Sequence, residues 1–584
     1  MTDKTIKTTL LNTALAGSLV MIALATASPS DVSAATKLKP GPSPIGNYLA
    51  GRHAEAERDL SVAADFLKAA LDEAPDAPDL LRRTFVIMTM EGRIEEAAKL
   101  GEIYIKATPK SSIANLVLAV HELKRGQKKA AAKRLGSLPD TGLTGLTAPP
   151  LHAWVLAGQK NFDAAMTAIK ALDGKKGAQH LHDLHKGLIQ EFAGKHEDAL
   201  ITLEKISADK SPLNFRYAEL LGNIYERAGD SKKASALYNR YMEENPASTL
   251  LEPALARIKA GKKPKALIRS AEDGAAEILF GIANSLRRQR ARETALVLGR
   301  LAMYLKPDYP IMLILAGDLM EMDDRSKDAN TFYTRVPENS AFGRTATLRI
   351  AANLHDMKKT DEAIKLLRKV AKANPKDPEP PTKIGDYLRS QERYAEAIPE
   401  YDEAIRRAGE LQPQHWRLLY IRGIVLEREK KWAKAEKDFL QALEFQPDQP
   451  YVLNYLGYSW VEQRLNLEKA LDMIRKAIKL RPNDGYIIDS LGWGYYMLGR
   501  FEQAVNELER AVEYRPEDPV INDHLGDAYW RVGRRLEAAF QWKRSLSLKP
   551  DADLIETVNE KLKHGLKNEE TATPTGDKKE PNKG

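Results

Sequence analysis

Three histidines lie close together in the chain, at His180, His182 and His185. On a helix, His182 and His185 share a face at i, i+3, whereas His180 points elsewhere. A zinc site needs three or four converging ligands, and this spacing offers two. The cluster therefore favours a solvated helix start over a metal site. A metal bound in a deep pocket at His182 and His185 would instead indicate an enzyme in the N-terminal region.

Other patterns of catalytic residues are missing from the sequence. It contains no H-E-x-x-H, no G-x-S-x-G and no phosphate-binding glycine loop. Gly492 and Gly494 flank Trp493 inside a helical pattern that no strand precedes, so they do not indicate a nucleotide site. The many carboxylates stand at the spacing of a helix surface. We predict a non-enzymatic protein without metal or cofactor.

A repeat of 34 residues determines the helices on which any functional site must lie. Gly492 recurs as Gly526, and Ala504 recurs as Ala538. A repeat of this length holds two helices and a turn, which cannot bury an apolar face alone. The repeats must therefore stack into a solenoid with a concave binding surface.

The repeat resembles the tetratricopeptide repeat. The matching residues are Leu491, Gly492, Tyr495, Ala504, Leu508, Ala511 and Pro516. The resemblance implies an all-α, right-handed superhelical solenoid of about eleven to thirteen helix-turn-helix repeats. The runs GNYLAGRHA, VLNYLGYSW and DGYIIDSLGWGYY, with DPVINDHLGDAYWRVGRR, are similar to exported multi-repeat proteins of proteobacteria. Distant relatives among these are adaptor lipoproteins of periplasmic carboxyl-terminal processing proteases, but this chain lacks their lipid-bearing cysteine.

The resemblance also implies which side chains face the groove. When the repeat glycine is counted as position eight, positions two, five, nine, twelve and thirteen point inward. In the last three repeats the predicted binding groove consists of Tyr451, Asn454, Tyr458, Tyr486, Asp489, Trp493, Tyr496, Asp523, Asp527, Trp530 and Arg531. Rigid aromatic rings beside single charges are typical of peptide-binding hot spots. Two alternatives are that the rings stack on sugars and that several of them pack between repeats.

The pattern divides the chain into segments. We predict a signal peptide (1–34), a Pro-rich lead-in (35–45), an N-terminal array (46–135), a loop or hinge (136–150), a degenerate central array (151–375), a well-conforming C-terminal array (376–550), a capping helix (551–566) and a disordered tail (567–584).

The N-terminus carries an export pattern. Lys4 and Lys7 precede an apolar stretch from Leu10 to Ala27, and small residues allow cleavage after Ala27 or Ala34. We expect a periplasmic protein without a membrane span after cleavage; the alternative is an uncleaved inner-membrane anchor. The chain has no cysteine and hence no disulfide.

The net charge of the chain indicates which class of partner it binds. Lys and Arg total 89 against 81 acidic residues, which is too small an excess to indicate nucleic-acid binding. We therefore expect protein or peptide clients in the cell envelope, bound by a scaffold or adaptor. The alternatives are a cell-wall glycan binder and an adaptor for a periplasmic protease.

Overall fold

The computed structural model describes residues 38–175, 177–207, 212–246, 248–289 and 291–566. These ranges form helices and contain no strand, which confirms the all-α solenoid of stacked helix pairs. The predicted signal peptide and tail lie outside the described residues. The helices are α1 (Pro44–Ala56), α2 (Leu60–Glu73), α3 (Pro78–Glu91), α4 (Ile94–Ala107), α5 (Ser112–Lys124), α6 (Lys128–Gly136), α7 (Gly142–Gly158), α8 (Phe162–Ile169), α9 (Gln179–Phe192), α10 (His196–Ser207), α11 (Phe215–Ala228), α12 (Ser231–Glu244), α13 (Glu252–Lys259), α14 (Ala271–Arg288), α15 (Arg292–Leu305), α16 (Pro310–Glu321), α17 (Ser326–Tyr333), α18 (Gly343–Asp356), α19 (Thr360–Ala373), α20 (Glu379–Ser390), α21 (Tyr394–Ala408), α22 (Trp416–Arg428), α23 (Trp432–Phe445), α24 (Pro450–Glu462), α25 (Leu467–Leu480), α26 (Gly485–Met497), α27 (Phe501–Tyr514), α28 (Pro519–Arg531), α29 (Arg535–Ser547) and α30 (Ala552–His564).

Small residues let the two helices of a repeat approach closely. A Cβ atom on Gly492 would lie 2.6 Å from the Leu508 side chain, so only glycine leaves the space that this leucine fills. Ala504 on the partner helix is fully buried. The turn between these two helices contains Gly499 at φ +72°, a left-handed conformation that glycine adopts without strain. The signature of the repeat is thus a packing requirement.

The chain divides into two compact units at residues 350 and 351, inside α18. We call residues 38–350 the first unit and residues 351–566 the second unit. The predicted border between the central and C-terminal arrays, at 375 and 376, lies one repeat later. The reason is that α19 packs against α20, so α19 belongs with the helices that follow it.

The first unit folds back on its own early helices. Helix α15 packs against α3 and α5, and α14 packs against α7. The Arg300 Nε donates to the Met90 carbonyl at 2.7 Å, and the Lys124 Nζ donates to the Leu305 carbonyl at 3.0 Å. Later helices of the first unit therefore cover a face of its N-terminal repeats.

The predicted loop at 136–150 is wrong over most of its length, because residues 142–158 form α7 with Pro149 and Pro150 inside it. Proline at position 149 removes the donor that the Gly145 carbonyl would use in a helix. The Lys175 Nζ donates to that carbonyl at 2.8 Å instead. A tertiary contact thus supplies the hydrogen bond that the sequence pattern lacks.

Helix α30 closes the second unit in the place predicted for a capping helix. Its Val558 is fully buried against the preceding repeat. The face that a further repeat would cover presents Glu556, Glu560 and Lys563 to solvent. A polar outer face is what a terminal cap requires. No helix in the described ranges has the length and apolar character needed to cross a bilayer.

Candidate functional site

The histidine cluster lies in the interior of the first unit. The Trp154 Nε1 donates to the His185 Nδ1 at 3.1 Å, and burial lowers the pKa of His185 to about 4. The buried His182 lies 2.8 Å from Asp183. The prediction of a solvated helix start is therefore wrong for these two rings. Within the described residues no group of three His, Cys, Asp or Glu side chains is arranged to hold a metal ion.

The centre of the predicted groove is an aromatic stack on α26 and α28. The Trp493 ring lies parallel to the Tyr496 ring, with centroids 4.7 Å apart, and to the His524 ring at 4.1 Å. Its Nε1 donates to a carboxylate oxygen of Glu462 at 2.6 Å. Neighbouring repeats therefore fix the indole in one orientation, which lowers the entropy cost of using it in binding.

A buried ion pair supports this stack from below. The His524 Nδ1 lies 3.0 Å from the Asp489 carboxylate, and both side chains are buried. Burial alone would lower the pKa of His524, but the adjacent Asp489 carboxylate raises it above its usual value. His524 thus packs on Trp493 with its Nδ1 held by Asp489. Asp489, predicted to face the groove, instead holds this ring.

The last repeat of the groove is occupied by the chain itself. The Lys561 ammonium of α30 donates to Asp523 at 2.7 Å and to Asp527 at 2.8 Å. The Trp542 Nε1 donates to the other oxygen of Asp527 at 2.9 Å. The structure corrects the prediction at these two carboxylates, because they bind the capping helix and do not face an open groove.

Trp530 also lies at this junction. Its ring packs against Trp542 with centroids 5.3 Å apart, and the Arg535 guanidinium lies 3.7 Å from its centroid. Gly565, directly after α30, approaches the same indole so closely that a side chain there would collide with it. The Arg531 Nε donates to the Tyr496 hydroxyl at 3.1 Å. Arg531 thus supports the aromatic stack, and Trp530 anchors the cap.

Two tyrosines are exposed to solvent, each near the start of the first helix of its repeat. Tyr451 on α24 is 41 % exposed and Tyr486 on α26 is 51 % exposed. The Arg481 guanidinium lies 5.1 Å from the Tyr451 ring, and the Arg515 guanidinium lies 4.9 Å from the Tyr486 ring. Neither arginine stands at a predicted groove position, although each stands directly before a proline of the repeat, one step of 34 apart.

Polar atoms accompany these rings. The Asn454 Oδ1 is buried and has no hydrogen-bond partner among the described residues. Burial and the nearby Glu462 carboxylate raise the pKa of the half-buried Tyr458. We call Tyr451, Asn454, Tyr458, Tyr486 and Trp493 the tyrosine surface. It lies wholly in the second unit.

Comparisons with known proteins identify the type of repeat in this chain. Sequence profiles described as tetratricopeptide repeat match residues 184–249, 345–377 and 382–450, and one described as TPR repeat matches residues 494–533. The chain contains tetratricopeptide repeats. Such repeats are typical of protein–protein interaction scaffolds.

Curated relatives share part of these repeats. A TPR repeat-containing protein of Pseudomonas aeruginosa is 34 % identical over 112 residues, which is 18 % of this chain and 19 % of that protein. The human tetratricopeptide repeat protein 13 is 30 % identical over 142 residues, or 24 % of this chain and 16 % of the relative. The chain thus spans a fifth or less of the length of these relatives.

Solved structures with similar helix arrangements include two large repeat proteins. The APC/C hetero-tetramer Cut9–Hcn1 aligns with a TM-score of 0.36 at 15 % identity, covering 90 % of this chain and 96 % of that one. Yeast Tom70 aligns with a TM-score of 0.32 at 14 % identity, covering 88 % and 95 %. At these identities the likeness concerns the fold alone.

Proposed function

We propose that this protein is a non-enzymatic scaffold whose tyrosine surface binds a segment of a client protein. The observation that carries the proposal is the exposure of Tyr451 and Tyr486 beside a fixed Trp493. Aromatic side chains held rigidly at a surface lose little entropy on binding and contribute large contact areas. The tetratricopeptide repeats supply the rigid frame that such a surface needs.

The distribution of contacts favours this part of the chain over the others. In the first unit, α15 covers early repeats, and in the last repeat Lys561 neutralises Asp523 and Asp527. On the tyrosine surface, by contrast, the Tyr451 and Tyr486 rings remain exposed.

A peptide client fits the rings better than a glycan does. Sugars stack on aromatic faces, but the Trp493 face is already covered by Tyr496 and His524. The arginines over Tyr451 and Tyr486 offer donors for backbone carbonyls and carboxylates of a peptide. We therefore propose an extended or helical protein segment with apolar side chains as the client.

We place the protein in the bacterial cell envelope on the strength of its N-terminal export pattern alone. In that setting it would present clients to other envelope proteins, and service as an adaptor for a periplasmic protease is one form of this role. Fractionation of cells followed by N-terminal sequencing tests the placement. A periplasmic protein beginning after Ala27 or Ala34 supports it, a membrane-bound protein retaining its apolar segment supports the anchor, and a cytosolic protein contradicts both.

The double variant Tyr451→Ser with Tyr486→Ser tests the binding surface. Both rings are exposed, so we expect the helix content to stay unchanged while recovery of cross-linked client proteins from an envelope extract falls at least tenfold. The matched control is Phe540→Ser, which removes a ring that is 67 % exposed on α29, away from the surface. Equal recovery from the double variant and from the control would contradict the proposal.

A further inference from the structure

The first unit contains a cavity of about 750 Å³ that the proposed function does not use. One wall comes from α1 to α3, and the other comes from α15, α16 and the turn after α16. Two contacts hold these walls together: the Arg300 Nε donates to the Met90 carbonyl, and Arg58 pairs with Asp323. The volume lies within the range of pockets for small molecules, about 300–1,000 Å³.

The floor of the cavity is apolar. Leu60, Ile87 and Met90 line it from the first wall, and Leu296 and Met320 line it from the second. All five side chains are buried within the unit and hold fixed positions in packed helices. An apolar part of a ligand would therefore meet a preformed surface here.

The rim of the cavity is basic. Its five guanidinium groups outnumber its three carboxylates, and they belong to Arg58, Arg82, Arg83, Arg292 and Arg325.

Ion pairs leave part of this positive charge unmatched. The Asp323 carboxylate is shared between Arg58 and Arg292, the latter at 2.5 Å. Arg83 pairs with Glu55 at 2.7 Å. The exposed Arg82 has no carboxylate within ion-pairing distance among the described residues. Arg325 pairs with Asp328 at 2.7 Å, so Arg82 is the rim guanidinium with the most freedom to bind an anion.

The hydrogen-bonding groups of the walls further restrict the chemical class of the ligand. Guanidinium groups only donate, and the Glu55 and Asp323 carboxylates already accept from arginines, which leaves the exposed Glu293 as the remaining carboxylate acceptor of the lining. Backbone groups in the middle of a helix are satisfied within the helix. A peptide would bring amide N–H donors, and these find few free acceptors in the cavity walls. A ligand with acceptors at one end and a hydrocarbon body needs no acceptors from the walls.

We propose that this cavity binds a small anionic amphiphile, with a carboxylate or phosphate head at Arg82 and an apolar chain over Ile87, Met90 and Leu296. The head group accepts charge-assisted hydrogen bonds from the rim, and the chain is removed from water by the floor. The ligand could be a free fatty acid or a lipid with a phosphate head.

Calorimetric titration of the full chain tests the charge of the ligand head group and the role of Arg82. The probes share one tail: sodium dodecanoate, dodecyl phosphate and dodecyltrimethylammonium, each below its critical micelle concentration. We expect dodecanoate, dodecyl phosphate or both to bind with one-to-one stoichiometry and the ammonium not to bind; the stronger of the two anions identifies the head group. Arg82→Glu should weaken that binding at least tenfold. The matched control Arg417→Glu, at an exposed arginine of α22, should leave it unchanged.

Three outcomes would overturn the proposal: equal binding of the ammonium probe, no effect of Arg82→Glu, or binding of an apolar acidic peptide in place of both anions. A diazirine-bearing fatty acid maps the site independently. We expect labelled peptides from residues 55–90 and 291–325, and labels confined to other regions would contradict the assignment. The variant Tyr451→Ser with Tyr486→Ser should still bind the anion, so failure of the proposed client surface remains distinguishable from failure of this site.

Discussion

Replacing Lys561 by methionine should release the capping helix from the second unit. The ammonium is the shared partner of Asp523 and Asp527, both of which are buried. Methionine keeps much of the side-chain volume but leaves two carboxylates facing each other without a counterion. Loss of one partner from a buried pair costs about 3–5 kcal/mol. The Lys561 side chain is only 12 % exposed, so solvent screening reduces this value little.

Hydrogen exchange resolves this loss because repeat proteins open locally at their ends. At a tenfold change per 1.4 kcal/mol, the amides of α30 should exchange at least about a hundredfold faster in Lys561→Met, up to the limit of a free helix. The control is Lys563→Met, which removes an exposed lysine of the same helix that pairs with the exposed Glu560. Amides of the first unit should be unaffected in both variants.

The pH dependence provides a second, independent readout. Burial and the adjacent Asp523 raise the pKa of Asp527 to about 6, against an ordinary value of 3.8. The folded protein thus binds this proton more tightly than the unfolded chain, and stability from this group increases as the pH falls through 6. Without Lys561 the pKa rises further, so protection of α30 in Lys561→Met should recover partly between pH 7.5 and pH 5. Equal exchange in Lys561→Met and Lys563→Met, or no recovery at low pH, would refute the reasoning.

Three further predictions concern the frame of the site. Gly526→Ala places a Cβ 2.4 Å from the indole of its partner helix, and we expect about 1–3 kcal/mol lower stability of the C-terminal repeats in urea denaturation. Lys175→Met leaves the Gly145 carbonyl without its donor, which should raise amide exchange in α7 by about tenfold, whereas unchanged exchange would show that the contact is dispensable. The Asp489 carboxylate raises the pKa of His524 in the folded protein. The stabilisation of the fold by protonated His524 is therefore full below the ordinary pKa of 6.5 and is lost as the pH rises through the pKa of the folded protein. The thermal unfolding temperature of His524→Gln should vary less between about pH 6 and pH 8 than that of the parent.

The sequence was sufficient for the helical class and the repeat frame because these depend on local spacing. Small residues such as Gly492 and Ala504 are required where the two helices of a repeat touch, and this requirement recurs every 34 residues. Contacts between distant segments carry no such period. The packing of α15 on α3 joins residues 210 positions apart, and Lys175 supports a proline-containing helix through a donor far from the prolines in sequence.

The candidate site shows the same limit. Positions in the repeat predicted that Tyr451 and Tyr486 face the binding groove, and both rings are exposed in the structure. They did not predict that Asp523 and Asp527 bind Lys561, because position alone does not tell which inward side chains meet the next helix. Arg481 and Arg515, which lie over the tyrosines, also recur with a step of 34, but they stand at the end of each repeat and outside the groove positions.

The proposed function requires direct contact between the tyrosine surface and a client protein. Photo-cross-linking from p-benzoylphenylalanine placed at residue 486 in cells reports that contact, with the same group placed at residue 540 as the reference. We expect discrete cross-linked partner bands from residue 486 that disappear when Tyr451 is changed to serine and that are missing from residue 540. Identical products from both positions, or none from residue 486 while the chain remains folded, would contradict it.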